Sequence, residues 1–433
     1  MIKKIFCKRE QRPSSLGRMI LVLGFILGWE ALSISQPATL SILQVSPNGR
    51  YFLDENGMPF FWQGDTEWEL FHRFSAKDAG ELIKERKKQG FNVIQVMVTG
   101  VYPEWGKMQG MKPWTGSQAW GKNNPLSPDE DYFKRTDSII SEAEEIGMIL
   151  VIGVFHARDK DEGRIKMDNA ESWAKWLAGR CKNSRNIVWS MYPHADSSSM
   201  AVVRATVKGL REGDGGTHLV TMHPDPSPTS SSFMHTEPWL SFNTLQTWNT
   251  GFINHEMVQS DFHKIPVKPV IDGEARYEEE DGTTPFETRR AGYWAILAGG
   301  FYSYGHRDNW KSPQTWREWV DTPGAQQMKI MGDIFRSLSW WNLVPDQSIF
   351  VNPMKGNAAA RSSDDRWIIA YITHPGIVTI TLKSMNSYRQ LAAWWIDPIT
   401  GERSEAGSFT PSGNKDFDLP LGWQDGILLI VKK

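Results

Sequence analysis

Short apolar runs alternate with amphipathic stretches from about residue 60 to residue 339. Each apolar run has the length of a buried strand, and the stretches between them have helical spacing. The predicted strands span residues 60–64, 92–98, 149–155, 187–191, 219–222, 242–246, 269–272 and 301–304. Strands that alternate with helices in this number predict a (β/α)8 TIM barrel. No glycine-rich phosphate loop follows the first strand, which argues against an open dinucleotide-binding sheet.

Different patterns flank the predicted barrel. Residues 43–65 alternate apolar and polar side chains and contain two Asn-Gly turns, at Asn48 and Asn56, which predicts an N-terminal β-hairpin. After a last predicted helix, short alternating strands separated by turns predict an antiparallel β-sandwich. We therefore expect a barrel domain at residues 36–344 and a C-terminal β-sandwich at residues 345–433.

The first 35 residues have the pattern of a signal peptide. A basic region precedes an apolar stretch, Met19 to Trp29, which is too short to span a bilayer, and small residues follow at Ser33 and Ser35. A membrane anchor is the alternative, because the basic region is long for a signal peptide. The signal interpretation predicts an exported protein, periplasmic or secreted, without stable membrane insertion. Cys181 would then be the single cysteine of the mature chain, so it could form no internal disulfide.

Composition narrows the class of ligand. A formal net charge of −2 provides no electrostatic basis for binding nucleic acid or an anionic membrane surface. The chain contains 21 Trp residues. Most of them would fill the core, but Trp also offers a flat surface for the apolar face of a sugar ring. Carbohydrate is therefore the favoured ligand class.

Polar side chains follow most of the predicted strands. In a TIM barrel the carboxyl ends of the strands form the functional face, so these side chains are expected to share one rim. Packing or loop roles account for part of such a set, but so many hydrogen-bonding groups on one rim predict a binding site. The candidate substrate-binding residues are Asp65, His156, His194, His223, Gln246, Trp248, Tyr277, Tyr304 and His306.

Glu274 is the candidate catalytic carboxylate. It lies two residues beyond the predicted seventh strand, so it should emerge near the barrel axis. Tyr277 could donate a hydrogen bond to it and keep it ionised. The acidic run at residues 278–281 lies further along the loop and is more typical of a solvated surface.

Hydrolysis of a glycosidic bond needs a second carboxyl group. Asp196 is the only carboxylate within five residues of the end of the fourth predicted strand, which makes it the candidate general acid. The alternative is that Asp196 caps the helix predicted to begin near Ser197. In that case His194 or Asp159 would have to supply the proton.

Neither a metal nor a cofactor is expected. Several histidines lie near predicted loops, but none has the short spacing of a zinc-binding motif. The nucleophile-elbow motif of Ser-His-Asp hydrolases is also missing from the sequence. Carboxylate chemistry on a carbohydrate therefore remains the favoured interpretation.

Several stretches of the chain resemble the apiosidase-like glycoside hydrolases, in the order in which that family carries them. They are FFWQGDTEWELF, GFNVIQVMV, NIVWSMYP, HLVTMHPDPSPTSSSFMH, WLSFNTLQTWN, KPVIDGEARYE and GGFYSYGHRDNW, and they cover about residues 43–344. The tail, with WWNLVPDQ and WWIDPITGE, is similar to a small C-terminal domain associated with collagen binding. The resemblance implies a retaining, exo-acting hydrolase without a cofactor. Its substrate would be a branched plant or algal polysaccharide, from which it removes a terminal sugar such as apiose.

The resemblance also implies roles for individual residues. Glu274 matches the family's catalytic acid on the seventh strand, in the setting Asp-Gly-Glu. At the fourth strand the family usually has Gly-Gly-Asp, with a catalytic acid in that Asp, whereas this chain has YPHAD and a gapless alignment places His194 there. Either Asp196 does the work from a longer loop or the acid has moved. A carbohydrate-binding barrel without catalysis and a matrix-binding adhesin are the alternatives to a hydrolase.

Overall fold

The computed structural model describes residues 43–101, 118–194, 196–226, 228–248 and 254–433. Its first element is an antiparallel meander of β1 (Gln44–Val45), β2 (Phe52–Leu53) and β3 (Pro59–Phe60). Gly49 and Gly57 occupy the two turns with φ of 72° and 73°, a region that favours glycine. The predicted hairpin is confirmed, whereas the predicted signal peptide at residues 1–35 lies outside the described residues.

A parallel sheet forms the centre of the larger domain. Its strands are β4 (Gln63–Thr66), β5 (Val93–Met97), β6 (Ile149–His156), β7 (Ile187–Tyr192), β8 (Asn243–Gln246), β9 (Val270–Glu274) and β10 (Phe301–Tyr304). They lie in the order β7-β6-β5-β4-β10-β9-β8, which leaves one position between β7 and β8. The predicted fifth strand occupies it without forming a regular strand. Val220 bridges Trp189 of β7 in parallel, and Ser241 donates its N–H to the Val220 carbonyl at 2.8 Å, so the predicted TIM-barrel fold is confirmed.

Helices surround this sheet in the part of the chain that the structure describes. They are α1 (Leu70–Arg73), α2 (Ala76–Lys88), α3 (Glu130–Ile146), α4 (Ala157–Asp161), α5 (Ala170–Cys181), α6 (Ser197–Asp214), α7 (Ser230–Met234), α8 (Asn254–Phe262), α9 (Pro285–Leu297), α10 (Asp308–Lys311), α11 (Trp316–Trp319) and α12 (Pro323–Arg336). Local sequence explains where they begin. Ser75 caps α2 by accepting the Asp78 N–H, and Thr284 and Glu287 form a capping box at α9. None of these helices is long and apolar enough to cross a membrane.

Burial on both faces explains the composition of the barrel strands. β5 (VIQVM) is wholly buried and β6 (ILVIGVFH) nearly so, as expected for strands that have the barrel core on one side and helices on the other. Polar residues break this pattern where the strands end. Gln246 ends β8 and Glu274 ends β9, and the two are paired in parallel register. The strand ends thus bring hydrogen-bonding side chains to one face of the barrel.

The C-terminal region is an antiparallel β-sandwich, as predicted. Its strands are β11 (Leu343–Pro345), β12 (Ala358–Ser362), β13 (Trp367–Ile372), β14 (Ile377–Thr381), β15 (Leu391–Ile396), β16 (Arg403–Phe409), β17 (Asn414–Asp418) and β18 (Gly426–Lys432). A six-stranded sheet, in the order β11-β12-β13-β18-β15-β16, shares an apolar core with the pair β14-β17. The predicted domain boundary after residue 344 falls within β11.

The sandwich packs on helix α9 of the barrel through a shared core. Tyr293 of α9 stacks on Tyr371 of β13, with ring centroids 4.7 Å apart. Beside this contact the buried Arg289 donates to Asp425 through Nε at 2.8 Å, and the Tyr371 hydroxyl donates to the same carboxylate at 2.6 Å. Removing one partner of a buried ion pair is costly, because the remaining charge has neither water nor a counter-ion.

Asp425→Asn is expected to lower the free energy of unfolding by about 3–5 kcal/mol, because it leaves the Arg289 guanidinium buried without a charge partner. Denaturant or thermal unfolding of the full chain measures the loss. Asp418→Asn, at an exposed position of β17, is the matched control and should cost less than about 0.5 kcal/mol. Equal losses in the two variants would contradict a stabilising role for the buried pair.

Candidate active site

A cavity of about 800 Å³ opens at the carboxyl ends of the barrel strands. Its size is typical of a small-molecule site. The predicted site residues that line it are His156, His194, His223, Gln246, Trp248, Glu274 and Tyr277. Other lining residues, which were not among the predicted site residues, include Trp68, Arg158, Asp161, Tyr192, Asp225, Arg276, Trp310 and two acids of the run predicted to be solvated, Glu280 and Asp281.

The carboxylate of Glu274 lies on the cavity wall, and its side chain is 15% exposed. Tyr277 donates its hydroxyl hydrogen to Oε1 at 2.8 Å, and the Gln246 amide donates to Oε2. Tyr277 is itself held by the indole N–H of Trp68, which donates to its hydroxyl oxygen at 2.6 Å. His223 places Nε2 3.3 Å from Oε2 of Glu274. Both carboxylate oxygens therefore receive a hydrogen bond from the protein.

Burial controls ionisation in the cavity. It raises the pKa of Glu274 to about 7, against the hydrogen bonds from Tyr277 and Gln246, which favour the charged form. Burial likewise raises the pKa of Asp272, two residues earlier in β9, to about 7. It lowers the pKa of His223 to about 3, so this ring is neutral where it approaches Glu274. A carboxyl group that titrates near neutral pH can serve as a nucleophile or as a proton donor.

Aromatic rings form part of the cavity wall. Trp68 packs edge-on against Tyr192 with centroids 5.2 Å apart, and the Tyr192 ring lies 4.6 Å from that of His223. Trp310 also lines the cavity, and Trp248 is 42% exposed there. Flat rings of this kind suit the apolar faces of sugars. The sequence signal for Trp68 and Tyr192 was only their position beside the ends of the first and fourth strands.

His194 is held between two carboxylates. Its Nδ1 lies 2.8 Å from Oδ2 of Asp225, and its Nε2 lies 2.7 Å from Oδ2 of Asp161. The hydrogen bonds to Asp161 and Asp225 raise the pKa of His194. Burial has the opposite effect on His156, whose pKa it lowers to about 4. Of the histidines described in the cavity, His194 is thus the one that favours its protonated form.

Asp196 caps α6 and is not among the described residues that line the cavity. Its carboxylate accepts the Ser198 hydroxyl at 2.7 Å and the Ser199 N–H at 2.8 Å, and these hydrogen bonds lower its pKa to about 2. A general acid must hold a proton near neutral pH, so this environment does not suit the role predicted for Asp196. The structure supports the alternative of a helix cap.

Asp65 is buried in the barrel rather than exposed in the cavity. Its Oδ2 lies 2.6 Å from Nε of Arg86, and Oε1 of Glu67 lies 3.4 Å from the same guanidinium. None of these three side chains has exposed surface. The substrate-binding role predicted for Asp65 is therefore not supported, because its charge pairs with an arginine of α2.

Tyr304 and His306 are also buried and absent from the described lining of the cavity. The Tyr304 hydroxyl donates to Glu278, which also accepts the Gly324 N–H at 3.0 Å. His306 stacks on Trp319 with ring centroids 5.6 Å apart. These contacts tie the end of the eighth strand to α11 and α12, so the structure does not place either residue at the cavity. Glu278, placed by the sequence in a solvated run, is 2% exposed.

One group among the described residues has the spacing of a cation site. Glu279, His306 and Asp308 place possible ligand atoms within 4.8 Å of one another. Arg307 already contacts both carboxylates, at 3.2 Å from Glu279 and 2.9 Å from Asp308. His306 Nδ1 accepts the Asp308 N–H at 3.1 Å, so the neutral ring carries its hydrogen on Nε2, the nitrogen nearer Glu279. The group is a hydrogen-bonded ion cluster around an arginine.

The chemistry of the cavity points to a class of enzyme. A buried carboxylate that titrates near neutral pH, set among aromatic rings at the carboxyl end of a TIM barrel, supplies one of the two groups that hydrolysis of a glycosidic bond needs. Residues 46–342 match the family described as "Apiosidase-like, catalytic domain", and the chain belongs to this family. Residues 344–431 match a second family model, described as "Putative collagen-binding domain of a collagenase". Both predicted resemblances are confirmed.

Two solved structures have the same fold as this chain. One, named "Glycoside hydrolase", is 24% identical, covers 91% of this chain and 97% of its own, and superposes with a TM-score of 0.78. The other, a family 5 glycoside hydrolase from Bacteroides vulgatus ATCC 8482, is 26% identical, covers 90% of this chain and 93% of its own, and gives a TM-score of 0.81. No curated protein matches the chain. The predicted glycosidase is confirmed.

Glu274→Gln is expected to stabilise the fold increasingly as pH rises from 5 to 8. A carboxyl group whose pKa is raised from 4.5 to about 7 binds a proton in the folded state more tightly than in the unfolded state. Glu274 therefore makes the wild type lose on the order of 1–3 kcal/mol of stability through this interval, and the variant lacks this contribution while it keeps that of Asp272. Melting temperatures at both pH values measure the difference. The exposed Glu318→Gln should follow the wild type, and identical pH dependence of all three proteins would contradict the buried charge.

Asp196→Ala is expected to cost about 1 kcal/mol of stability through loss of the cap, while Asp196→Ser, which keeps a capping oxygen, should cost only a few tenths. Neither variant should lose glycosidase activity by more than a small factor. Unfolding curves and hydrolysis rates of the two variants provide the check. If both lose activity while only Asp196→Ala loses stability, the carboxyl group itself is needed for catalysis and the cap assignment is incomplete.

Proposed function

We propose that this protein is an exported, exo-acting, retaining glycoside hydrolase that removes a terminal sugar from a branched plant or algal polysaccharide. The observation that carries the proposal is the Glu274 carboxylate, which receives a hydrogen bond on each oxygen inside an aromatic-lined cavity. Membership of the apiosidase-like family supports apiose or a similar small sugar as the residue released.

The hydrogen bonds favour a nucleophilic role for Glu274 over that of proton donor. Tyr277 and Gln246 both donate to it, one to each oxygen, and donors stabilise the ionised carboxylate. An ionised Glu274 can attack the anomeric carbon and form a glycosyl ester, which water then hydrolyses with retention of configuration. Because the pKa of Glu274 is about 7, kcat/KM should rise as pH increases through that value.

The shape of the site supports action at chain ends. The cavity, about 800 Å³ in volume, is walled by the loops that follow several different strands, among them those that carry Trp68, His194 and Trp248. A pocket of this size takes a terminal sugar and its nearest neighbours, whereas an internal chain segment needs an open groove.

Export is supported by the sequence of the first 35 residues, where a basic region, a short apolar stretch and small residues succeed one another. A polysaccharide substrate fits this location, because polymers of that size are met outside the cytoplasm. After cleavage Cys181 would be the remaining cysteine. It is buried, so the proposed mature protein can keep it as a free thiol without a disulfide partner.

The test of Glu274 uses pectic and algal oligosaccharides, with identification of the sugar released, and then the 2,4-dinitrophenyl glycoside of that sugar. Glu274→Gln should lower turnover of both substrates at least about a thousandfold, because a nucleophile is needed whatever the leaving group. Glu318→Gln, on the surface of α11, is the matched control. Activity of Glu274→Gln on the dinitrophenyl glycoside near the wild-type level would show instead that Glu274 is the proton donor.

A further inference from the structure

Both ring nitrogens of His194 lie at hydrogen-bonding distance from a carboxylate oxygen, one of Asp161 and one of Asp225. A neutral imidazole has a single N–H, so His194 cannot donate to ionised Asp161 and ionised Asp225 at the same time unless its ring is protonated. The only other way to satisfy both contacts is to place the proton on one of the two carboxyl groups. In either case the three side chains together hold one acidic proton next to the cavity.

The other histidines of the cavity and the tyrosine beside Glu274 do not compete for the role of donor, and the carboxyl groups of Glu280 and Asp281 also line the cavity. Burial lowers the pKa of His156 to about 4 and that of His223 to about 3, so both rings are neutral at the pH where Glu274 ionises. The hydroxyl hydrogen of Tyr277 is already donated to Glu274. His194, whose side chain is 41% exposed, has access to the solvent and to the cavity that Glu274 also lines.

We propose that His194, held between Asp161 and Asp225, protonates the departing glycosidic oxygen. This inference rests on the proposed function, because it assigns the second half of the same reaction. His194 follows the end of β7 by two residues and lines the same cavity as Glu274, which ends β9. A bound sugar ring between them would have the nucleophile on one side and the proton donor on the other.

The chemistry balances without a cofactor. The Glu274 carboxylate forms a bond to the anomeric carbon as the carbon–oxygen bond to the leaving group breaks, and the electron pair of that bond goes to the leaving oxygen. The imidazolium proton moves to this oxygen, which leaves a glycosyl ester, a free alcohol and neutral His194. The imidazole then removes a proton from a water molecule whose oxygen attacks the anomeric carbon, and Glu274 departs as a carboxylate.

The two aspartates have separate roles in this scheme. Nε2 is the ring nitrogen farther from the backbone, so it is the one that can reach into the cavity, and the glycosidic oxygen would take the place of the exposed Asp161 carboxylate there. Asp225 stays on Nδ1 and orients the ring, as carboxylates do for catalytic histidines. His156 on β6 interacts electrostatically with His194, and the same cavity is also lined by Arg158, Arg276, Glu280 and Asp281.

Two measurements test the inference. The first compares His194→Gln with the wild type on an accepted oligosaccharide and on the 2,4-dinitrophenyl glycoside, whose leaving group needs no proton. Turnover of the oligosaccharide should fall at least about a hundredfold, while the first, glycosylating turnover of the dinitrophenyl glycoside should stay within about fivefold. The fall of kcat/KM at high pH should also disappear. His263→Gln, an exposed histidine after α8, is the matched control.

The second measurement needs no substrate. NMR of the histidine ring signals in the full chain, assigned with His194→Gln, should show a protonated His194 at pH 7, and Asp161→Asn or Asp225→Asn should lower its titration midpoint. A neutral ring in the wild type at pH 7 would overturn the inference, as would equal losses on both substrates. Retained activity in Glu274→Gln would instead overturn the proposed function, so the two failures are distinguishable.

Discussion

Glu274 carries its charge where water reaches little of the side chain, and two hydrogen-bond donors take the place of that water. Burial of an ionised carboxylate is costly, and hydrogen bonds to both oxygens offset part of the cost. The balance leaves the pKa near 7, so the carboxyl group gains or loses its proton near neutral pH. The barrel positions both donors. The pairing of β8 with β9 places Gln246 beside Glu274, and Trp68, which follows the first strand, donates a hydrogen bond that holds Tyr277 in place.

At the ends of the first and eighth strands, acidic side chains are paired within the protein and do not face a substrate. At the first strand, Asp65 is neutralised within the barrel by Arg86. At the eighth strand, the Tyr304 hydroxyl donates a hydrogen bond to the Glu278 carboxylate. Most residues that line the cavity follow the third to seventh strands, and Trp68 after the first strand and Trp310 after the eighth complete its wall. The sandwich packs on helix α9 through a shared apolar core. This contact gives the C-terminal domain a structural role in addition to any binding property.

The hydrophobic pattern of the chain was sufficient to predict the fold, because buried parallel strands are nearly continuous apolar runs and each carries its polar residues at the end. The same rule found Glu274. It could not separate Asp65 from the cavity residues, because the arginine that neutralises Asp65 lies on α2, about twenty residues away in the sequence. The local sequence was also compatible with two roles for Asp196, helix cap and general acid. The observed hydrogen bonds from Ser198 and Ser199 favour the helix cap.

The sequence marked Asp161 and Asp225 only as carboxylates that follow the third and fifth strands, and nothing in it placed both beside His194. Asp161 ends a short helix after the third strand, and Asp225 follows the fifth, so the three side chains meet only because the barrel places these strand ends together. Non-local contacts of this kind set the ionisation of a site, whereas the residue types alone indicate only which chemistry is available.

The central claim is that Glu274 is the nucleophile of a retaining glycosidase. The most direct measurement is covalent trapping: incubation with the 2-deoxy-2-fluoro glycosyl fluoride of the sugar released, followed by mass spectrometry of the intact protein and its peptides. The account predicts a single glycosyl adduct on the peptide that contains Glu274. An adduct on another carboxylate, or steady turnover without an adduct and with inversion of the anomeric centre, would contradict it.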